Sequence, residues 1–131
     1  MKRVAGLAVA LVLAGCAGDS ADYATHADAV AAGVISQGRL PAAAPASVAL
    51  IRIERDAGRA AGYFHFSSAD YAPMTARFAA LGRLPDDPAL GNWVKRKDLA
   101  GYESYTSTDA AGTWLLRCAQ NKGRCYFRRT D

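Results

Sequence analysis

The sequence has few of the residues that catalytic and metal sites require, with two histidines and three cysteines among 131 residues. It also lacks the Gly-x-Ser-x-Gly and His-Glu-x-x-His motifs, the phosphate-loop glycine pattern and the dinucleotide-binding fingerprint. These absences exclude the serine hydrolases, zinc proteases, P-loop proteins and Rossmann proteins that such motifs identify. We therefore expect no cofactor, no metal and no catalytic role.

Long apolar runs are also missing, except for one at the N-terminus. Lys2 and Arg3 precede a stretch of about 14 apolar or small residues over 4–17. A transmembrane helix needs roughly 20 such residues, so the run is short for a retained membrane helix. A basic start, an apolar stretch and small residues at a cut site are typical of a signal peptide.

The last residues of this run carry a more specific pattern, Leu13, Ala14, Gly15 and Cys16. This order resembles the lipobox of bacterial lipoproteins. The resemblance implies a signal peptide over 1–15, cleavage before Cys16, and fatty acids such as palmitate on that cysteine. Ala17, in place of an aspartate, implies the periplasmic face of the outer membrane. The alternative is an ordinary secretory signal in which Cys16 is incidental.

The rest of the chain is long enough for one domain. We expect a lipidated cysteine and short tether over 16–22 and a single α+β domain over 23–131. Periodicity predicts an antiparallel sheet of about five strands with two helices packed on one face, in the order αββαβββ.

The helices have recognisable ends. Thr25 can cap a short first helix, with Asp28 three residues later, and Gly33 can end it. The stripe of Tyr71, Met74, Phe78 and Leu81 predicts a second helix over 71–81.

The strands follow from period-2 alternation and from turn residues between them. The predicted strands are 48–55, 61–66, 101–106, 113–119 and 124–129, with a short additional one at 93–96.

Cys118 and Cys125 are the only cysteines that remain if Cys16 is lipidated. An even pair in an oxidising compartment indicates a disulfide. The sequence between them favours a hairpin tip with Gly123 at positive φ. Redox and zinc roles are the alternatives, but the spacing is not Cys-x-x-Cys and the histidines are distant.

Positive charge is concentrated near the C-terminus, where basic residues outnumber acidic ones eight to four over 95–131. These residues are candidates for binding an anionic envelope molecule such as lipid A or peptidoglycan. The alternative is an ordinary solvated surface. The candidate anion-binding residues are Lys95, Arg96, Lys97, Arg124, Arg128 and Arg129.

His65 is the one candidate for a general base, beside Tyr63 or Glu103. A histidine on the half-exposed face of a strand is more often simply solvated, so an enzyme using His65 is a distant alternative. A glycan-stacking surface is a further hypothesis. Its candidate residues are Tyr102, Tyr105, Trp93 and Trp114.

Residues 29–53 resemble a pattern in small uncharacterised bacterial envelope proteins. The matching residues are Gly33, Ile35, Gly38, Leu40, Pro41, Pro45 and Ser47. The resemblance implies a fold and no activity. The sequence thus predicts a lipid-anchored periplasmic protein that acts as a non-catalytic binding or structural module. Its expected partners are the membrane, through the anchor, and another envelope protein, and not nucleic acid.

Overall fold

The structure, a computed structural model, describes residues 20–56, 58–82, 99 and 101–130. These residues form one antiparallel sheet of seven strands with two short helices. The elements along the chain are β1 (Ala21–Thr25), α1 (His26–Ala31), β2 (Ala49–Asp56), β3 (Arg59–His65), α2 (Tyr71–Thr75), β4 (Ala79–Gly82), β5 (Glu103–Asp109), β6 (Gly112–Ala119) and β7 (Arg124–Arg129).

Two meanders meet in the middle of the sheet. The strand order is β1-β2-β3-β7-β6-β5-β4, so β1 to β3 form one meander and β4 to β7 the other. They join where β3 pairs with β7, with Tyr63 opposite Tyr126 and Phe64 opposite Cys125. The chain therefore passes from the centre of the sheet to its far edge between β3 and β4, and α2 lies on this connection.

The predicted fold class, five strands with two helices packed on one face, is wrong. The sheet has seven strands among the described residues, and both helices are short. The stripe predicted as one helix over 71–81 divides into α2 and β4. Backbone groups of Ala79 and Ala80 pair with β5 instead, opposite Thr106 and Tyr105. This ladder satisfies backbone groups that a marginal short helix would leave to water.

The other unpredicted strand is β1. It begins at Ala21, before the domain boundary expected at residue 23, and pairs with β2 through Tyr23 and Ile51. The first helix is confirmed directly after it, because Thr25 Oγ1 accepts a hydrogen bond from the Asp28 amide at 3.1 Å.

The five strands predicted at 48–55, 61–66, 101–106, 113–119 and 124–129 are confirmed as β2, β3, β5, β6 and β7, with ends shifted by a few residues. The short strand expected at 93–96 lies outside the described residues. The disulfide between Cys118 and Cys125 is confirmed and joins directly opposed residues of β6 and β7. Gly123 has the expected positive φ, at 62°.

Alternation along the strands separates the sheet into two faces. The helix face packs against α1, α2 and the segment 33–48. Phe64, Trp114 and Phe127 of the sheet pack in one core cluster with Leu40 of this segment and Met74 of α2, and all five are at most 1% exposed. No helix in the described part of the chain is long and apolar enough to cross a bilayer.

Candidate functional site

We name the opposite side of the sheet the arginine face, after Arg52 on β2, Arg117 on β6, and Arg124 and Arg128 on β7. On this face, residues that are cross-strand partners form a continuous row over six neighbouring strands. The row consists of Asp22, Arg52, Tyr63, Tyr126, Arg117 and Ser104. Arg117 and Arg128 are buried, at 3% and 8% exposed, so they are not surface charges.

Arg52 forms ion pairs with two neighbouring carboxylates. Its Nε atom lies 2.7 Å from Glu54 Oε2, and its Nη1 atom lies 3.0 Å from Asp22 Oδ2. The hydrogen bond to Glu54 is the largest cause that raises the pKa of Arg52; burial opposes it, and the charges of Asp22 and Glu54 add to the increase. The two carboxylates and Arg52 therefore satisfy one another near the β1 edge.

Arg124 has a different environment, made of tyrosines. Its Nε donates to the Tyr102 hydroxyl at 3.3 Å, and its guanidinium carbon lies 5.3 Å from the centre of the Tyr126 ring. The hydrogen bond to Tyr102 raises the pKa of Arg124, while partial burial opposes it. No carboxylate among the described residues forms an ion pair with Arg124.

His65 lies directly opposite Arg124 in the pairing of β3 with β7. Its Nδ1 atom is 3.2 Å from the Leu50 carbonyl oxygen. A carbonyl oxygen only accepts hydrogen bonds, so Nδ1 carries the proton in the neutral ring. The Nε2 atom is then the acceptor, and it forms no hydrogen bond within the described residues.

A groove of about 430 Å³ opens beside His65. Its walls come from the first three strands: Asp22, Tyr23, Ala24, Leu50, Ile51, Tyr63 and His65. The Tyr63 and His65 rings meet edge to face, with centroids 5.6 Å apart. Most of the lining is apolar, with a few polar side chains, as is usual for small-molecule sites.

Leu50 lies at the rim of the groove and has an unusual backbone conformation. It has a φ of 49° where the β2–β3 register shifts, and its side chain is 61% exposed. The left-handed conformation costs roughly 1–2 kcal/mol for a residue with a Cβ atom. An exposed leucine held in a strained backbone is a feature that stability alone does not favour.

A second cavity, of about 400 Å³, lies where the segment 33–48 meets the β5–β6 turn. Asp109 Oδ2 accepts from the Ala42 amide at 2.9 Å and from Trp114 Nε1 at 3.0 Å, while Oδ1 accepts from the Ala111 amide. Burial would raise the pKa of Asp109, but these hydrogen bonds outweigh it and lower the pKa. The Asp109 carboxylate links the segment 33–48 to the hairpin of β5 and β6. We therefore interpret this cavity as part of the packing between them and not as a binding site.

The structure separates the predicted anion-binding residues. Arg124 and Arg128 share the arginine face, whereas Arg129 lies on the helix face and donates to the Gly38 carbonyl at 3.0 Å. Lys95, Arg96 and Lys97 lie outside the described residues, as does Cys16. The three described members of the predicted set therefore lie on two different faces of the sheet.

The structure also tests most of the other residues that the sequence suggested for a site. Tyr102, Tyr105 and Trp114 are at most 9% exposed, so they do not form a glycan-stacking surface, and Trp93 lies outside the described residues. Glu103 pairs with Cys118 and faces away from His65. The sequence missed the groove and the contacts of Arg124, because both depend on the pairing of distant strands.

Comparisons with protein-family models, curated proteins and solved structures found no match for the chain.

Proposed function

We propose that this protein is a lipid-anchored, non-catalytic binding module of the bacterial cell envelope. The observation that carries the proposal is the distance along the chain between Cys16 and the groove. β1 begins at Ala21, five residues after the lipobox-like Cys16, and its residues Asp22 and Tyr23 line the groove. Five residues extend at most about 18 Å, so a lipid on Cys16 holds the groove close to the membrane surface.

The surroundings of His65 favour binding over catalysis. A general base is commonly oriented by a carboxylate that stabilises the protonated ring. The partner of His65 Nδ1 is instead the backbone carbonyl of Leu50, and Glu103 faces the opposite side of the sheet. The strained and exposed Leu50 at the groove rim is suited to contact a partner or ligand.

The anchor is tested by replacing Cys16 with serine and fractionating the cells. We expect Cys16→Ser to prevent lipidation and signal cleavage at that site, so that the lipid-modified mature form disappears from labelling with radioactive palmitate. The matched control is the double variant Cys118→Ser/Cys125→Ser, which removes two thiols and keeps Cys16. Equal palmitate labelling of Cys16→Ser and the wild type contradicts the proposal.

The binding role is tested by placing a photo-crosslinking amino acid at position 50. Living cells are irradiated, and covalent adducts are detected by their larger mass. We expect a reproducible adduct from position 50 and none from position 77, where Arg77 is exposed on the other side of the sheet. Identical adduct patterns from both positions, or no adduct from position 50, contradict the groove as the binding surface.

A further inference from the structure

Arg124 is a half-buried cation whose position is fixed by two uncharged groups. Tyr102 holds its Nε atom and the Tyr126 ring supports its plane, so the guanidinium group keeps one orientation. Its two Nη atoms form no hydrogen bond to any described residue. An arginine in this state has a pre-organised pair of donors available for an oxyanion.

The carboxylates of the same face do not compete for Arg124. Asp22 and Glu54 are bound to Arg52 near the β1 edge. Glu103 faces the other side of the sheet, at the level of the disulfide. The described neighbours of Arg124 on the arginine face are thus uncharged or neutralisable: the tyrosines, His65 and its β6 partner Ala119.

His65 adds a hydrogen-bond acceptor beside these donors. It is the cross-strand partner of Arg124, and such pairs on one face have Cβ atoms about 4.5–5.5 Å apart. Because Nδ1 donates to Leu50, the neutral ring presents Nε2 as an acceptor. A ligand that satisfies both residues must accept from Arg124 and donate to His65.

A phosphate monoester group meets both requirements. Its oxygens accept hydrogen bonds from guanidinium donors, and its second pKa of about 6 leaves a protonated oxygen in part of the population near neutral pH. A sulfate ion carries no such proton. We propose that Arg124 and His65 bind a phosphate monoester group, with the rest of the ligand lying along the groove from His65 towards Leu50. The site deepens the proposed function, and rests on it for its place at the membrane.

Calorimetric titration of the full chain, purified in dodecyl maltoside, tests the site independently of the anchor. Inorganic phosphate and sulfate are titrated at equal ionic strength and pH 7. Phosphatidic acid is then titrated in mixed micelles, with phosphatidylcholine as the blank. Binding of phosphate as well as phosphatidic acid identifies the phosphate group itself as sufficient. Binding of phosphatidic acid alone identifies a lipid headgroup as the source, and both results support the site.

Variants separate the site from general charge. We expect Arg124→Gln to weaken binding of the phosphate-containing probe at least tenfold, because it removes charge-assisted hydrogen bonds. The control Arg77→Gln makes the same charge change on an exposed residue and should leave the affinity within twofold. Arg124→Lys keeps the charge and loses the planar pair of donors, so an intermediate loss is expected. Arg124→Lys is also the usable variant if Arg124→Gln does not fold.

The role of His65 is measured separately, through the preference for phosphate over sulfate. His65→Phe retains a ring but removes Nε2, so the preference for phosphate over sulfate should disappear while sulfate affinity changes less than twofold. Measurable binding of both phosphate and sulfate to the wild type with equal affinity overturns the proposal. So does binding that persists in Arg124→Gln, or the absence of binding by both phosphate and phosphatidic acid. If neither phosphate nor phosphatidic acid binds but palmitate labelling is normal, the phosphate site is rejected. The proposal of a lipid-anchored binding module then stands.

Discussion

The two faces of the sheet bury side chains of different chemistry. The helix face is apolar, with Phe64, Trp114 and Phe127 fully buried beneath α1, α2 and the segment 33–48. The arginine face buries Arg117, Arg128 and Ser104 among tyrosines. Apolar burial stabilises a fold directly, whereas buried polar groups contribute little net stability and specify geometry. The comparison indicates that one face contributes most of the apolar stabilisation, whereas the other carries the groups that we propose as the binding site.

The largest effect on stability is expected from Trp114 on the helix face. Its ring is fully buried against Phe127, with centroids 5.6 Å apart, and its Nε1 donates to Asp109. Trp114→Ala should lower the free energy of unfolding by about 3–5 kcal/mol, measured by urea denaturation. Trp114→Phe is the matched control, and it should cost clearly less because it retains a large ring. Equal losses in the two variants would show that ring burial is not what stabilises this face.

The disulfide also belongs to the helix face, and its loss is the next largest effect. Cys118 and Cys125 are both fully buried and close a loop of about eight residues. The double variant Cys118→Ala/Cys125→Ala should lower the free energy of unfolding by about 2.5 kcal/mol by the chain-entropy estimate. Reducing the wild type with dithiothreitol under denaturing conditions should give a comparable loss on refolding. An unchanged urea midpoint in the double variant would contradict this contribution.

The smallest of these three stability effects, and the one that depends on pH, is expected at Asp109. Its ionised carboxylate accepts hydrogen bonds from Ala42, Ala111 and Trp114, and these outweigh burial and lower its pKa. Asp109→Asn should cost about 1–2 kcal/mol at pH 7. A lowered pKa stabilises the folded state above the unfolded pKa of about 3.9, and this contribution is lost as the pH falls through the folded value.

The difference between wild type and Asp109→Asn should therefore shrink in acid. Urea denaturation at several pH values between 7 and 3 measures it. Asp70→Asn is a control of equal charge change, since the Asp70 carboxylate accepts from the hydroxyls of Ser47 and Ser67. A difference for Asp109→Asn that stays constant down to pH 3 would contradict the role of its ionised form.

The sequence predicted the strongly alternating strands but missed the two edge strands. β2 and β6 contain apolar residues at every second position, so their buried face can be read directly. β1 is short, has Asp22 and Ala24 on either side of Tyr23, and its strand conformation depends on pairing with β2. β4 has the helix-favouring alanines 79 and 80, and its pairing with β5 overrides this preference.

The candidate site was predictable only in part. Arg124 was recognisable as one of several basic residues, and His65 as one of two histidines. Their position side by side follows from the β3–β7 pairing, which joins segments about 60 residues apart. The positive φ of Leu50 follows from an irregular register between β2 and β3 that no local sequence signal announces.

The division of roles between the two faces is tested most directly by measuring the free energy of unfolding of the wild type and Arg124→Gln with and without phosphate. Without phosphate, Arg124→Gln should lower the free energy of unfolding by about 0.5–1.5 kcal/mol, because it removes the hydrogen bond to Tyr102 and the contact with the Tyr126 ring. With the probe that binds, inorganic phosphate or phosphatidic acid, at ten times its dissociation constant for the wild type, the wild type should gain about 1.4 kcal/mol and Arg124→Gln at most about 0.4 kcal/mol. An equal gain in both proteins, or no gain in the wild type, would contradict the account.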